Sequence, residues 1–255
     1  AAFDGLVDLL AETGENDPHL RHGIVYALSR IDVEENLGKL SSHSSEAVRV
    51  GAVVALREIR SPQLSRFLQD NSWKVMNEAA RAIYDDQSVE ASLKDLAASL
   101  GKSPIKTEAY LRRAINANLR LGGVDAANRL RNFIDDKSNA EALRADAVWA
   151  LAYWTDIPVL DRLEGIYRET ASHAANEILP ATDGLAEILL EESESMKIAG
   201  IEMIGRLGMT ANDARLFSIH ADTDETIDVR RASMRSLSRM KSPRSESEVA
   251  LALAD

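Results

Sequence analysis

A pattern of small and apolar residues recurs seven times along the chain. Each copy begins with a large apolar residue. Small or apolar residues follow four and seven positions later, and large apolar residues eight and eleven positions later, with single departures in the third and fourth copies. These offsets share one face of a helix with 3.6 residues per turn. The pattern therefore predicts seven amphipathic helices, whose leading residues are Leu20, Val48, Val75, Tyr110, Leu143, Met196 and Val229.

Shorter helical segments lie between the copies, for example at residues 62–68 and 213–217. Pro62 suits the first turn of such a helix, and Ser72 is a typical N-cap residue for the helix that follows. Each copy with its short neighbour forms a helical hairpin of roughly 30 residues, which buries its apolar stripe only by stacking on other hairpins. The prediction is an all-α fold: an α-solenoid of stacked antiparallel helical hairpins in one domain over residues 1–255.

The interval between the fifth and sixth copies is irregular. Leu143 and Met196 are 53 positions apart, whereas the other leading residues are separated by 27 to 35 positions. The irregular segment covers about residues 156–190, and a helical pattern occupies about residues 174–190. It is either an extra degenerate hairpin or a loop that lies against the stack. Long excursions of this kind are more often functional than ordinary connections are.

Composition and charge narrow the classes of function. The 255 residues include only 13 Gly and 6 Pro, which favours helix throughout. The formal net charge of −11 disfavours binding to nucleic acid and to anionic membranes. Cysteine is absent, so disulfides, cysteine-ligated metal sites and c-type haem attachment within this chain are excluded. The longest wholly apolar run, residues 147–154, is too short to span a membrane.

Sequence signals for catalysis, metals or cofactors are weak. His19 and His22 lie three positions apart on one helix face near Asp17, but two histidines and one carboxylate make a poor metal site. The chain has no glycine-rich phosphate-binding loop, and nothing in the sequence places an acid and a base together for catalysis. We therefore predict no metal, no cofactor and no enzymatic activity within these residues.

The core of the repeat, as in Val48-Arg49…Ala52…Ala55-Leu56, resembles the HEAT repeat. It is most similar to the short form in the HEAT-like family named after phycobilisome lyases, and the resemblance covers nearly the whole chain. In HEAT proteins the Arg after the leading residue commonly pairs with an acidic residue of a neighbouring repeat. The resemblance assigns this structural role to Arg21, Arg49, Arg144 and Arg230.

That arginine ladder is expected to be interrupted, because three copies lack the arginine. The residues in its place are Met76, Leu111 and Lys197.

A narrower resemblance rests on residues 71–85, 111–122 and 160–168. These segments are similar to the HEAT region of large exported bacterial proteins, where it usually follows a glucose/sorbosone-dehydrogenase-like β-propeller and precedes a c-type cytochrome domain. The resemblance implies an exported location, in the periplasm or on the cell surface, and a parent oxidoreductase whose catalytic and haem sites lie outside these residues. The chain starts without Met, so we expect it to be a piece of a longer protein. A stand-alone cytoplasmic HEAT adaptor is the alternative.

Positions two, six and ten after each leading residue lie beside the core face, and by analogy with HEAT proteins they line the concave surface. Aromatic residues there would anchor a partner, and arginines would bind carboxylates. The alternative is that these residues only pack along the groove and face solvent there without binding a partner, and that Trp149 belongs to the core. The predicted stripe consists of Tyr26, Arg30, Arg81, Arg112, Asn116, Arg120, Trp149, Tyr153, Arg206, Arg231, Arg235 and Arg239.

These observations predict a non-catalytic scaffold that acts as an interaction and spacer module. Its partner would be another protein or a neighbouring domain of the same chain, and the module itself would be monomeric. A HEAT-like bilin lyase or DNA glycosylase is the alternative from another class. The acidic charge disfavours the glycosylase, and the lack of paired acid and base residues disfavours the lyase.

Overall fold

The structure, a computed structural model, describes residues 2–31, 34–85, 89–103 and 105–245. These residues form fourteen α-helices and four short 3-10 helices. The α-helices are α1 Ala2–Thr13, α2 Pro18–Arg30, α3 Glu34–Lys39, α4 Glu46–Glu58, α5 Trp73–Tyr84, α6 Glu90–Ala98, α7 Glu108–Leu121, α8 Val124–Asp135, α9 Glu141–Ala152, α10 Leu179–Thr182, α11 Leu185–Leu190, α12 Glu194–Leu207, α13 Asp213–Ala221 and α14 Ile227–Arg239. The 3-10 helices are Leu40–Ser42, Pro62–Phe67, Ala175–Glu177 and Thr210–Asn212.

The seven copies of the sequence pattern correspond to seven long helices: α2, α4, α5, α7, α9, α12 and α14. Each of these helices begins two residues before its leading apolar residue, so the copies share one register. The leading residues are buried in every copy except the first, where Leu20 is exposed. The prediction of an all-α solenoid of helical hairpins is therefore confirmed.

The chain divides into two compact units. The first contains the described residues of 1–117 together with Arg162–Ile166, and the second contains Asn118–Asp161 together with the described residues of 167–255. The single domain predicted over residues 1–255 stays a prediction beside this division.

In the first unit the long helices pack in chain order. Helix α2 packs on α4, and α4 packs on α5, while α1 packs against both α2 and α4. Helix α3 lies along α4, and α6 lies along α5. Side-chain caps set where these helices begin: the Asp17 carboxylate accepts from the main-chain N–H groups of His19 and Leu20, and Ser45 and Ser72 cap α4 and α5.

In the second unit, α9, α12 and α14 form one layer, because α9 packs on α12 and α12 packs on α14. The shorter helices α8, α11 and α13 pack on α9, α12 and α14 respectively. Helices α12 and α14 come especially close: a Cβ added at Gly205 of α12 would lie 2.5 Å from the Cβ of Ser236 and 2.7 Å from its Cα on α14. The close approach fixes which side chains of the two helices are neighbours.

The irregular segment begins without helix, over residues 155–174, and continues through the 3-10 helix at Ala175–Glu177, α10 and α11. His173 hydrogen-bonds through Nε2 to the main-chain oxygen of Leu119 over 2.6 Å, and its ring packs on Trp154. The Glu177 carboxylate accepts from the Trp154 indole N–H over 3.2 Å and from the Gly123 N–H over 2.9 Å. Within the second unit, the segment is therefore anchored to the α7–α8 turn and to the end of α9.

Candidate interaction surface

Equal positions in neighbouring repeats become neighbours in space in the second unit. Helices α9, α12 and α14 pack in sequence and share one register, so residues six and ten positions after each leading residue form two adjacent rows. The first row contains Trp149, Glu202 and Arg235, and the second contains Tyr153, Arg206 and Arg239. We call these side chains the aromatic–arginine surface.

The aromatic part of this surface is a stacked pair at the C-terminal end of α9. The rings of Trp149 and Tyr153 have centroids 5.8 Å apart and planes inclined by 26°. The guanidinium carbon of Arg206, from α12, lies 4.1 Å from the Tyr153 ring centroid and 6.0 Å from that of Trp149. Both rings are half-buried, so each keeps an accessible portion while a cation covers part of its face.

The charged part of the surface is organised by Glu202, whose exposed fraction is only 4%. Its Oε2 atom lies 3.0 Å from Nη1 of Arg239, which donates a hydrogen bond to it, and 3.8 Å from Nε of Arg206. Its Oε1 atom lies 3.1 Å from Nη2 of Arg235. One carboxylate thus faces three guanidinium groups, although the buried Nε of Arg206 has no hydrogen-bond partner among the described residues and lies only within ion-pair distance. The buried charge of Glu202 is compensated, and the cluster keeps a local excess of positive charge.

Glu202 was not among the predicted binding residues, although the sequence carried a signal for it. It occupies the same offset in its copy as Trp149 and Arg235 do in theirs. A charged residue at that offset, between an aromatic residue in one repeat and an arginine in the next, is placed to hold the arginine.

Other residues of the predicted stripe lie on α2 and α5. In the first unit Tyr26 is exposed, and the guanidinium of Arg30 lies 4.8 Å from its ring centroid. Arg81 lies beside Glu78 and Asp85, at 3.4 Å and 3.7 Å. These residues do not form a continuous row, because half-buried Val54 and exposed Glu58 occupy the equivalent positions on α4.

The remaining residues of the predicted stripe lie on α7 and at the start of α14. Arg112 pairs with Glu108 of its own helix over 2.9 Å. Asn116 is buried and donates to the main-chain oxygen of Arg112 over 2.8 Å. Arg120 is half-buried in the last turn of α7. Arg231 is exposed on α14, with Asp228 of the same helix 3.8 Å away.

Two of the arginines to which the resemblance gives a structural role contact carboxylates. Nε of Arg49 lies 2.7 Å from Oδ2 of Asp70, which precedes the next long helix. Nη2 of Arg144 lies 3.2 Å from Oε1 of Glu192, which likewise precedes the next long helix. Arg144 is almost fully buried, so its charge is compensated inside the unit.

A second contact is common to all four of these arginines. Each donates to a main-chain carbonyl at or just beyond the end of the preceding short helix, where carbonyl groups lack helical partners. The bonds run from Arg21 to Gly14 and from Arg49 to His43 over 2.8 Å, from Arg144 to Ile134 over 2.6 Å, and from Arg230 to His220 over 2.8 Å. The repeated arginine thus makes a hydrogen bond within each of these hairpins, and Arg49 and Arg144 also make an ion pair to the next hairpin.

Glutamates in the first turns of long helices connect each of these helices to the next. Glu46 accepts from the hydroxyl of Ser72, and Glu194 accepts from that of Thr226 over 2.7 Å. Glu141 accepts from Ser195 over 2.8 Å. Hydrogen bonds from Lys74, and then from Ser72, hold the pKa of the Glu46 carboxyl below its ordinary value. These contacts were not predicted from the sequence.

The described residues contain no cluster of three or more His, Cys, Asp and Glu side chains arranged to hold a metal ion. His19 and His22 are both exposed on α2. Among the described helices, none combines the length and the apolar character that a membrane crossing requires.

Comparison with known proteins supports the fold. No family model matches the chain, and no curated protein matches its sequence. An engineered protein solved by the Northeast Structural Genomics Consortium is similar in structure, with a TM-score of 0.52 and 16% sequence identity over 92% of this chain. The chain spans 64% of the length of that engineered protein. A designed armadillo repeat protein, solved with the peptide (KR)4, matches over 92% of this chain and 91% of its own, with a TM-score of 0.35 and 18% identity. At these sequence identities the likeness concerns the fold alone.

Proposed function

We propose that the chain is a non-catalytic interaction and spacer module, and that a protein partner binds its aromatic–arginine surface. The observation that carries the proposal is the stacked, half-buried pair of Trp149 and Tyr153 beneath the guanidinium of Arg206. Trp, Tyr and Arg are the residue types that contribute most binding energy at protein interfaces. Here they occur together on neighbouring helices of one unit.

The surface is also ordered before any partner arrives. Arg206 lies between the Glu202 carboxylate, 3.8 Å from its Nε, and two aromatic rings, and Arg239 is hydrogen-bonded to Glu202. Side chains that are already fixed lose little conformational freedom on binding, which favours affinity. All of these residues lie on helices or directly at a helix end, which holds their spacing more precisely than a loop would.

A paired substitution tests the proposal. Peptides selected from a random phage-displayed library on the wild-type chain are expected to bind the Trp149→Ala/Tyr153→Ala variant at least about tenfold more weakly, because truncating the two half-buried aromatic anchors removes the strongest contacts. Binding is measured by fluorescence anisotropy with the selected peptides made synthetically. The matched control is Trp73→Ala, which removes an exposed tryptophan from the first unit and should leave the affinity unchanged.

Equal affinity of the wild-type chain and the double variant would place the binding site elsewhere. Circular dichroism on each variant shows whether the helices remain, so that a loss of binding is not mistaken for unfolding.

The resemblance noted in the sequence extends the proposal to a larger protein. In that setting the module would separate and orient a dehydrogenase-like propeller and a c-type cytochrome domain in an exported oxidoreductase. The reading frame on both sides of the segment tests this extension. An upstream propeller sequence and a downstream Cys-x-x-Cys-His motif would support it, whereas a start codon just before Ala1 and a stop codon after Asp255 would favour a stand-alone adaptor.

A further inference from the structure

The aromatic–arginine surface carries an excess of positive charge in a protein whose net charge is −11. Three arginines face the single carboxylate of Glu202. The local sign is therefore opposite to that of the chain as a whole. At physiological ionic strength charges are screened beyond about 8 Å, so a small ligand at this surface experiences mainly the nearby arginines.

Two of these arginines keep donors available for a ligand. Arg235 and Arg239 approach Glu202 through one terminal nitrogen each, and their side chains remain 61% and 38% exposed. A guanidinium has five N–H donors in a planar fork that matches the two oxygens of a carboxylate. The pairing with Glu202 therefore positions the forks without using all of their donors.

We propose that the partner segment is an acidic, extended peptide of another protein, whose carboxylates bind Arg235 and Arg239 and whose neighbouring apolar atoms contact Trp149. This inference rests on the proposed function and specifies its ligand. Charge-assisted hydrogen bonds between guanidinium and carboxylate are about twice as strong as neutral ones, so they supply both affinity and register.

The same geometry disfavours two other ligands. A basic peptide meets the like charge of the arginines, and Arg206 already occupies the aromatic faces that a cationic side chain would use. A nucleic acid extends its charge beyond the surface, where it encounters an acidic protein and loses affinity. A short acidic peptide places fewer charges beyond the arginines.

The test compares four fluorescent probes by anisotropy: an octapeptide of alternating Asp and Glu, its Asn and Gln counterpart, an octapeptide of alternating Lys and Arg, and a single-stranded oligothymidine. We expect the acidic peptide to bind at least about tenfold more tightly than the other three, because only it supplies carboxylates to the forks. Its affinity should fall as salt is added, since screening weakens exposed charge pairs.

Variants then locate the binding. Arg235→Gln/Arg239→Gln is expected to weaken binding of the acidic peptide by about tenfold or more, because both guanidinium groups are lost. Arg235→Lys/Arg239→Lys, which keeps the charge but not the fork, should give an intermediate loss and retains counter-charges for Glu202. The control Arg215→Gln/Arg244→Gln removes the same charge from half-exposed positions that pair with Glu191 and Asp213, and it should leave binding unchanged.

Other outcomes would overturn the inference in distinguishable ways. If the basic peptide binds more tightly than the acidic one, and Trp149→Ala/Tyr153→Ala abolishes that binding, the proposed surface is correct but its ligand is basic. Tighter binding of oligothymidine would make the ligand a nucleic acid. If library-selected peptides bind at the surface while the acidic octapeptide does not, the acidic specificity is wrong. If no peptide of either kind binds, the proposed function is wrong as well.

Discussion

Gly205→Ala is expected to destabilise the protein by about 2 kcal/mol, although alanine is normally the better helix former. The added Cβ would lie 2.5 Å from the Cβ and Oγ of Ser236 and 2.7 Å from its Cα, closer than non-bonded carbon atoms approach. Because main-chain atoms of α14 are involved, rotating the Ser236 side chain cannot relieve the clash. Urea denaturation followed by circular dichroism measures the change in the free energy of unfolding.

Gly23→Ala is the matched control, since a Cβ added at Gly23, within α2, meets nothing within 4 Å. There the substitution should stabilise the protein by up to about 1 kcal/mol, because only the gain in helix propensity remains. The same substitution should thus change the free energy of unfolding in opposite directions at the two positions. A stabilising Gly205→Ala would mean that α12 and α14 are further apart than described, and that Glu202 and Arg235 are not neighbours.

Glu202→Gln is expected to cost about 2 kcal/mol, which is below the roughly 3–5 kcal/mol that breaking a fully buried ion pair costs. The amide retains the shape of the side chain but leaves Arg206, Arg235 and Arg239 without their shared counter-charge. We expect a cost below the full value because Arg235 and Arg239 are partly exposed and stay hydrated after the substitution. Thermal unfolding of the variant and the wild-type chain at equal salt gives the difference.

Glu58→Gln is the control, because Glu58 is exposed at a stripe position of α4 in the first unit. A surface change of this kind usually alters stability by no more than about 0.5 kcal/mol. If the two substitutions cost the same, Glu202 is not the group that holds the arginines. If the arginine contacts are responsible, raising the salt concentration should reduce the difference in stability between the two variants.

Much of the fold follows from the sequence because the repeat is a local signal. The leading residues place the starts of all seven long helices in one register, and Arg49 and Arg144 lie where the pattern puts them. Once neighbouring helices share a register, equal offsets become contacts. The rows of the aromatic–arginine surface are therefore present in the sequence, and Glu202 is recognisable in hindsight as part of one.

The remaining features depend on contacts between distant parts of the chain. The indole N–H of Trp154 donates to Glu177, and His173 bonds to the carbonyl of Leu119, in a segment whose sequence has no repeat to align it. Asn116 carries the residue type of a binding position, yet its amide bonds to its own helix and is buried. An offset predicts the face on which a residue lies, but the local hydrogen bonds determine whether its polar group stays available.

The most direct test of the interaction surface uses the three tryptophans of the chain, replaced with 5-fluorotryptophan and observed by fluorine NMR. Trp73 is exposed in the first unit, Trp154 is fully buried, and Trp149 belongs to the surface, so the three signals report on different places. Single Trp→Phe variants assign them. We expect a bound peptide to shift the Trp149 signal while those of Trp73 and Trp154 stay in place. A peptide that binds without moving the Trp149 signal would contradict the assignment of this surface as the interaction site.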